Sequence, residues 1–353
     1  MKAQPGQLVI TIAFICVALF LSLTSVRGQV KSVSPVKIYR GSIGDLHIEM
    51  KLRSDGGKVS GTYSYDHVRQ ELGLSGHLAQ GRLELAEFDA SGKQTGKFLC
   101  KRKLDDEIDP ECTWSKPDGT GETYVILNEQ HIAFTNGLRI VPKVITNRKT
   151  GVNVSYPQII GGGGSLALAA EKFNSRVGYV VNKAIKEFQP VPDRGYFEAN
   201  YNVLLATNDI VSIEVWEASY AGGAHPDSSY WAVTYNLVAG RELRLDDLFK
   251  LKSNYRKPIL TYCLGDINRR AEEISKEEAR REGKTEQNYS ISADDVTKID
   301  TWAMTPKGLM IYFDFPHVIA VFDRTFVPYS VVKQHIKQGG PASRFAARGS
   351  NNH

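Results

Sequence analysis

The sequence predicts an α+β protein: an N-terminal antiparallel β-meander closing into a barrel, then an α+β domain whose helices pack on an antiparallel sheet. Three observations carry this reading. Short apolar–polar alternations recur roughly every ten residues from Val36 to about Pro142, the signature of a meander. Phe173, Val177, Val180, Ala184 and Phe188 then recur at three- and four-residue spacing, the signature of one helix face. After that helix the pattern returns to long apolar strands and ends on a second, charged helix and a hairpin.

The first element is an apolar run from Leu8 to Leu21, with Lys2 before it and Val26-Arg27-Gly28 after it. This is a signal-peptide pattern. It places cleavage between Gly28 and Gln29 and sets residues 1–28 apart from the fold. The run is shorter than the ~20 residues that span a bilayer. The protein is therefore expected to be exported, periplasmic or extracellular, and held at a membrane only if the segment stays uncleaved. Cys16 follows Ile15 rather than a small residue, which argues against a lipid anchor.

Of 353 residues, 44 are Lys or Arg and 39 are Asp or Glu. Loss of Lys2 and Arg27 leaves 42 basic against 39 acidic residues, a net charge of +3. No basic stripe with interleaved aromatics accompanies that small excess, so a nucleic-acid partner is not expected. The remaining chain of about 325 residues suits two domains.

In the meander, LHIEMKL, KVSGTYSY, ELGLSGHL, GRLELAEF, GKFLCKR, ECTWSK, ETYVILN and HIAFTNGL read as strands. Ile48, Met50 and Leu52 share one face, expected to be buried, and His47, Glu49 and Lys51 the other, expected to be wet. Closure removes the exposed edges. Cys100 and Cys112 flank a turn between adjacent strands, so in an oxidising compartment they are the expected disulfide. Closing such a loop is worth roughly 3 kcal/mol. Cys263 sits in a helical stretch with Leu260 and Leu264 and reads as a buried, inert thiol.

The barrel is assigned to residues 36–145 and a Gly-rich linker to 146–164, since that stretch ends in four glycines. Ser165 then caps a helix running to about Phe188, stopped by Pro190 and Pro192. NYNVLLATND, IVSIEVWEASY and SSYWAVTYNL form three antiparallel strands. Asp246 and Asp247 cap a short helix, and Tyr255 to about Gly283 forms a long one with a solvated charged half. TWAMTPKGLMIYFDF makes a hairpin through Pro306-Lys307-Gly308, and FVPYSVVKQHIK passes from strand to short helix. The second domain spans 165–338, and 339–353 reads as a loose tail.

Two resemblances attach to these segments. The pattern G-T-Y-x-Y, L-x-L-x-G, L-x-L-x-E-F and T-G-x-F resembles small calycin-like β-barrels of exported bacterial proteins. That likeness leaves open a barrel carrying a small apolar ligand. Residues 155–338 resemble the extracellular domain of the anti-sigma-V factors (RsiV), a module also found beside bacterial polysaccharide deacetylases. The shared features are YPQI, the Y-A-G-G-A-H-P turn, N-L-V-A-G-R-E-L with L-D-D-L-F, and the final V-P-Y-S. This resemblance implies an α+β fold and a binding role, because the anti-sigma domain recognises lysozyme. The implied partner is a lysozyme-type muramidase or peptidoglycan. The alternative is an accessory, or weakly active, cell-wall hydrolase or deacetylase partner. Only Met1–Gln7 precede the apolar run, and no deacetylase region follows residue 338, so neither a sigma-factor switch nor a fused deacetylase is expected. In the late loop, PHVIAVFDRTF places His317, Val321, Phe322 and Arg324 where the family often carries Tyr, Ala-Pro-Tyr and Gly, so the partner is open to change.

The chemistry of individual residues points to binding. Tyr220, Gly222, Gly223, His225, Pro226 and Tyr230 around the turn, with Pro316, His317, Phe322 and Arg324 in the late loop, are the candidate binding residues. Two glycines permit positive φ and Pro226 fixes the exit, so His225 is read as hydrogen-bonding the turn rather than as a ligand. Trp231 and Tyr235 are assigned to the core side of their strand, and Tyr220 and Tyr230 to the surface. The eight histidines are scattered without metal-ligand spacing, and no metal or other cofactor is expected. Asp209, Glu214, Glu217, Asp227, Asp246 and Asp247 are the acids from which a hydrolytic pair would have to come. Glu214 and Glu217 face opposite sides of one strand, and no serine elbow occurs. The glycines at 161–164 lack the Gly-Lys-Ser/Thr of a phosphate loop. No catalytic residue is assigned.

Overall fold

The computed structural model describes residues 34–68, 70–101, 112–189, 191, 194–283 and 291–348. The expected signal segment, the turn between Cys100 and Cys112, and the prolines at 190 and 192 lie outside the described residues. The fold is α+β with strands dominating.

Eight strands close the barrel: β1 (Lys37–Ile43), β2 (Leu46–Asp55), β3 (Lys58–Tyr65), β4 (Leu72–Ala79), β5 (Arg82–Phe88), β6 (Gln94–Cys100), β7 (Cys112–Ser115) and β8 (Thr123–Gln130). Each pairs antiparallel with the next, and β1 pairs with β8. Alternation sends Tyr39, Ile48, Met50, Tyr63, Leu85 and Phe98 into the interior, where they are at most 2 % exposed. Inside, the Glu87 carboxylate accepts hydrogen bonds from the Tyr63 hydroxyl (2.7 Å), the Trp114 indole (2.7 Å) and the Thr95 hydroxyl (2.6 Å). Cys100 and Cys112 oppose one another across β6 and β7 and form the expected disulfide.

Beyond the barrel lies a six-stranded sheet of order β14-β13-β12-β11-β10-β9, with β9 (Leu138–Asn147), β10 (Val152–Gly161), β11 (Tyr196–Ala206), β12 (Ile210–Tyr220), β13 (Asp227–Asn236) and β14 (Arg241–Glu242). The segment expected as a linker, 146–164, is mostly sheet: β9 and β10 form a hairpin, and only Gly162–Gly164 remain between β10 and the helix. The glycines misdirect here because they follow a Val/Ile-alternating strand instead of replacing it. HIAFTNGL, expected as a strand, is a connector that lies along β11, and the first barrel strand is instead KIYRGSI.

Helix α1 (Ser165–Glu187) crosses over between β10 and β11, which run parallel. Its N-cap is Gly164, with no side-chain cap, so Ser165 is the first helical residue and not the cap. Ala169, Ala170, Phe173, Val177 and Val181 pack on the odd-numbered residues of β11, β12 and β13, including Tyr201, Ile213, Val215, Val233 and Tyr235. The other face meets α2 (Arg256–Glu282), closed by left-handed Gly283, and a three-stranded sheet of β15 (Thr301–Met304), β16 (Gly308–Tyr312) and β17 (Arg324–Pro328). A register shift between Val203 and Leu205 turns the end of β11, so Val203 joins the first core and Leu205 the second.

Short α3 (Tyr329–Val332) and α4 (Ser343–Arg348) complete the second core. The tail expected from Gly339 is therefore ordered through residue 348: Ala342 is 1 % and Phe345 6 % exposed, and Arg344 clamps Asp209 at 2.6 Å. Asp246 and Asp247 lie within a 3-10 turn, Leu245–Leu248, and Asp247 accepts the Arg244 backbone N–H from inside the turn. Among the described residues no helix is long and apolar enough to cross a membrane.

The barrel docks on the sheet where β10 and β11 separate. Their parallel pairing ends at Val154 and Ala199. The next residues, Ser155 and Asn200, both receive the Arg40 guanidinium at 3.3 Å. Arg40 points out of the barrel, is 1 % exposed, pairs with Asp66 at 2.5 Å and lies over the Tyr201 ring at 4.0 Å. Burial disfavours the Asp66 carboxylate, but Arg40 and Ser155 overrule it and hold the group below the ordinary carboxylate range. The face of β2 expected to be wet is thus covered at its start: His47 is buried beside this ion pair.

Truncating one member of a buried pair strands the other charge. Arg40→Ala is expected to lower unfolding free energy by about 3–5 kcal/mol in urea titrations. His47 gives a pH signature. Burial and then Arg40 push its imidazole from 6.5 to about 4, so between those values the unfolded chain takes up a proton that the folded chain refuses. The His47 contribution to stability should fall as pH falls through that window and level off below it. The loss reaches at most about 3 kcal/mol, and thermal melts of His47→Gln should show a flatter profile.

Candidate functional site

The candidate turn lies between β12 and β13. Gly222 and Gly223 take φ of 102° and 126°, a region L side chains avoid. A Cβ at residue 222 would also stand 2.6 Å from the Val191 side chain. The Tyr220 hydroxyl donates to the Gly223 carbonyl (3.0 Å), and His225 Nδ1 lies 3.2 Å from the Pro226 carbonyl oxygen. His225 therefore hydrogen-bonds its own turn, as the sequence suggested.

It also stacks on His317, with ring centroids 3.9 Å apart and planes 11° from parallel. The two segments singled out separately in the sequence thus meet and form one lip. Pro316 precedes the 3-10 turn His317–Phe322, from which Val318 and Val321 project at 78 % and 65 % exposure. Phe322 corrects the expectation: it is 0 % exposed and belongs to the core around α2, with the Arg270 guanidinium 5.7 Å from its ring. A 3-10 turn sends one side chain in three inward, and here that side chain is Phe322.

Below the lip, the even-numbered residues of β12 and β13 face the C-terminal sheet. Glu214, 1 % exposed, accepts from Asn202 (2.8 Å), Arg324 (3.1 Å) and the Tyr312 hydroxyl. Burial and that carboxylate raise the Tyr312 phenol well above its usual value. Tyr230, expected at the surface, is half-buried: it stacks on Tyr312 (5.5 Å), with the Arg324 guanidinium 5.4 Å from its ring. Trp231 faces the opposite side and donates to Glu217 at 2.5 Å, and Tyr235 is 3 % exposed, in keeping with their assignment to the core face.

Asn202, Glu214, Tyr230 and Arg324 wall a cleft of about 1380 Å³. Its other sides come from the barrel through Lys37, Glu129 and the adjoining His131, and from α2 and β15–β17 through Tyr262, Arg270 and Lys307. Charges pair along the walls: Lys37 with Glu129 (3.0 Å), and Arg269 and Arg270 with Asp266 (2.7 and 2.9 Å). Burial pushes Asp323 up to about 6, against the opposing pull of Arg324 and Arg270. Burial also lowers the His131 imidazole, with Lys307 acting in the same direction.

Of the acids weighed for hydrolysis, only Glu214 lines this cleft. Asp209 is clamped by Arg344, Asp247 by Arg241 and Asp246 by the Tyr255 hydroxyl, while Asp227 lies 4.0 Å from His225. Cys263 is 0 % exposed and its thiol is pushed up to about 12 by burial, which removes nucleophilic character at neutral pH. Among the described residues no three His, Cys, Asp or Glu side chains converge on a metal-sized site.

The sequence reading did not find Trp216, Lys307, His131 or Asp323 as cleft residues. Trp216 carried a usable signal, since it shares even parity with Glu214. The other three arrive from separate elements, and no local pattern joins them.

Residues 246–330 match a family model described as a protein of unknown function (DUF3298). Two solved structures of members of that family are similar to this chain. One, from Bacteroides fragilis, is 11 % identical with a TM-score of 0.40, covering 60 % of this chain and 97 % of its own. The other, from Pseudomonas aeruginosa, is 10 % identical with a TM-score of 0.39, covering 57 % and 94 %. No curated protein matches the chain.

Asp323 supplies a test of the cleft's electrostatics. Its raised folded-state pKa means that its contribution to stability is fully present below 3.8 and is lost as pH rises through about 6. Asp323→Asn should therefore melt higher than the wild type at pH 8, by roughly 1–2 kcal/mol after allowance for partial exposure. The two proteins should converge near pH 4.

Proposed function

We propose that this is an exported, non-enzymatic binding protein of the bacterial envelope whose partner surface is the lip joining the Gly-Gly turn to Pro316–Phe322. The carrying observation is the His225–His317 stack, which fixes two loops from distant parts of the chain into one surface. A rigid lip loses little entropy on binding. Val318 and Val321, well exposed beside it, are the kind of apolar anchor that a partner cleft desolvates. The sequence resemblance of residues 155–338 to a lysozyme-recognising domain supports a lysozyme-type muramidase as the partner, the lip entering its substrate cleft.

The engagement of the weighed acids in ion pairs and hydrogen bonds favours binding over hydrolysis. The apolar-carrier alternative is weakened by the side chains that fill the barrel, including the Tyr63–Glu87–Trp114 network.

Purified protein passed over immobilised lysozymes and over peptidoglycan, at low and moderate salt, tests the reading. Salt-resistant retention on a lysozyme is expected, weakened at least tenfold by Val318→Asp with an unchanged melting temperature. Retention on peptidoglycan alone, or lysozyme binding indifferent to Val318→Asp, would remove it.

A further inference from the structure

The cleft beneath the lip has chemistry of its own, whatever partner the lip engages. Its volume of about 1380 Å³ exceeds the ~300–1,000 Å³ usual for small-molecule pockets. It is walled by three separate parts of the fold, so it suits a chain-like ligand better than a compact one.

Two of its side chains have unused binding capacity. Trp216 is half-buried on β12, between Asn200 and Tyr230 on the neighbouring strands. Trp114 and Trp231 donate their indole N–H groups to Glu87 and Glu217. Among the described residues, the Trp216 indole N–H meets no protein acceptor. Lys307 is the second. It sits exposed in the turn between β15 and β16, and among the described residues its ammonium forms no ion pair, whereas Lys37, Arg269, Arg270 and Arg324 are each paired.

This combination selects a ligand class. A flat indole with a spare N–H stacks on the C–H face of a pyranose and donates to one of its oxygens. Paired carboxylates and guanidiniums along the walls still have lone pairs and N–H groups for hydroxyls. Leu127, Met310 and Phe326 add apolar surface to the lining, but an acyl chain would desolvate the charged walls without giving them hydrogen-bond partners. A nucleic acid needs a track of unpaired cations for successive phosphates, and here the unpaired cation is Lys307. One such cation matches a sparse negative charge, one carboxylate per sugar or per disaccharide.

We propose that this cleft binds a carboxylate-bearing oligosaccharide, with Trp216 as the stacking platform and Lys307 as the counter-ion of the carboxylate.

Three probes of equal length test this by calorimetry and tryptophan fluorescence: an N-acetylglucosamine/N-acetylmuramic acid tetrasaccharide, tetragalacturonate and neutral chitotetraose. At least one carboxylated probe should bind ten times more tightly than chitotetraose, and the difference should shrink with added salt. Lys307→Glu should abolish that preference without changing the melting temperature. Trp216→Ala should weaken every saccharide that binds, and Trp216→Phe should restore part of the affinity, separating loss of stacking from loss of fold. Binding of the muramic probe alone assigns the ligand to wall glycan, and of galacturonate alone to uronic-acid polymers. Either supports the proposal. Equal affinity for chitotetraose, indifference to Lys307→Glu, or no binding of any probe at millimolar concentration overturns it. Val318→Asp, which is directed at the lip, should leave saccharide binding intact, so the two proposals fail separately.

Discussion

The split between β10 and β11 is the constraint on which the rest of the structure depends. Two parallel strands that stop pairing after Val154 and Ala199 expose backbone groups in the middle of a six-stranded sheet. Buried backbone N–H and C=O groups need partners. The barrel provides them. Gln130 accepts the Val203 N–H at 2.5 Å and His131 exchanges backbone bonds with Val203 and Ala206, while Arg40 engages the side-chain oxygens of Ser155 and Asn200 beside the split. A guanidinium suits this place because its planar fork can serve Asp66, Ser155 and Asn200 at once while stacking on Tyr201. Its Nε donates to no acceptor among the described residues, so the arrangement carries a local cost that the other contacts offset.

That docking fixes one wall of the cleft. Lys37 and Glu129 lie on β1 and β8, the barrel strands nearest the split, and His131 lies in the segment that continues into it. The opposite wall follows from strand parity: with odd residues of β12 under α1, Glu214 and Trp216 must face the other way, toward β16, β17 and α2. The register shift at Leu204 then lets Leu205 seal the second core below them. Cleft and lip are thus by-products of how two layers share one sheet.

Much of the fold was legible. Alternation gave the barrel strands, and the disulfide followed because Cys100 and Cys112 had to be neighbours across a hairpin. The period of α1 located its buried face through Phe173 and Val177, although Val181 and not Val180 enters the core, and Gly283 marked the end of α2. The candidate site was half legible. Gly222-Gly223 and His225 read as a constrained turn, and the late loop stood out by departing from the pattern it resembles. Phe322 was misplaced because a short 3-10 turn has too few residues for a period to show its inward face. The hairpin of β9 and β10 was hidden by four glycines next to it, and the order of residues 339–348 by their small, polar composition.

The sequence by itself determined what depends on near neighbours along the chain: strand alternation, helix period, turn chemistry and the pairing of two cysteines. These are set by backbone sterics and by the side chains a few residues away. The tertiary structure alone decided what depends on groups far apart in the chain: which outward-facing barrel residue would be buried, that His225 would meet His317, and that Trp216 and Lys307 would share a cleft. Arg40 and Asp66 show why. Each reads locally as an ordinary surface charge, and only the docking of the barrel on the split sheet removes water from both and makes their attraction strong.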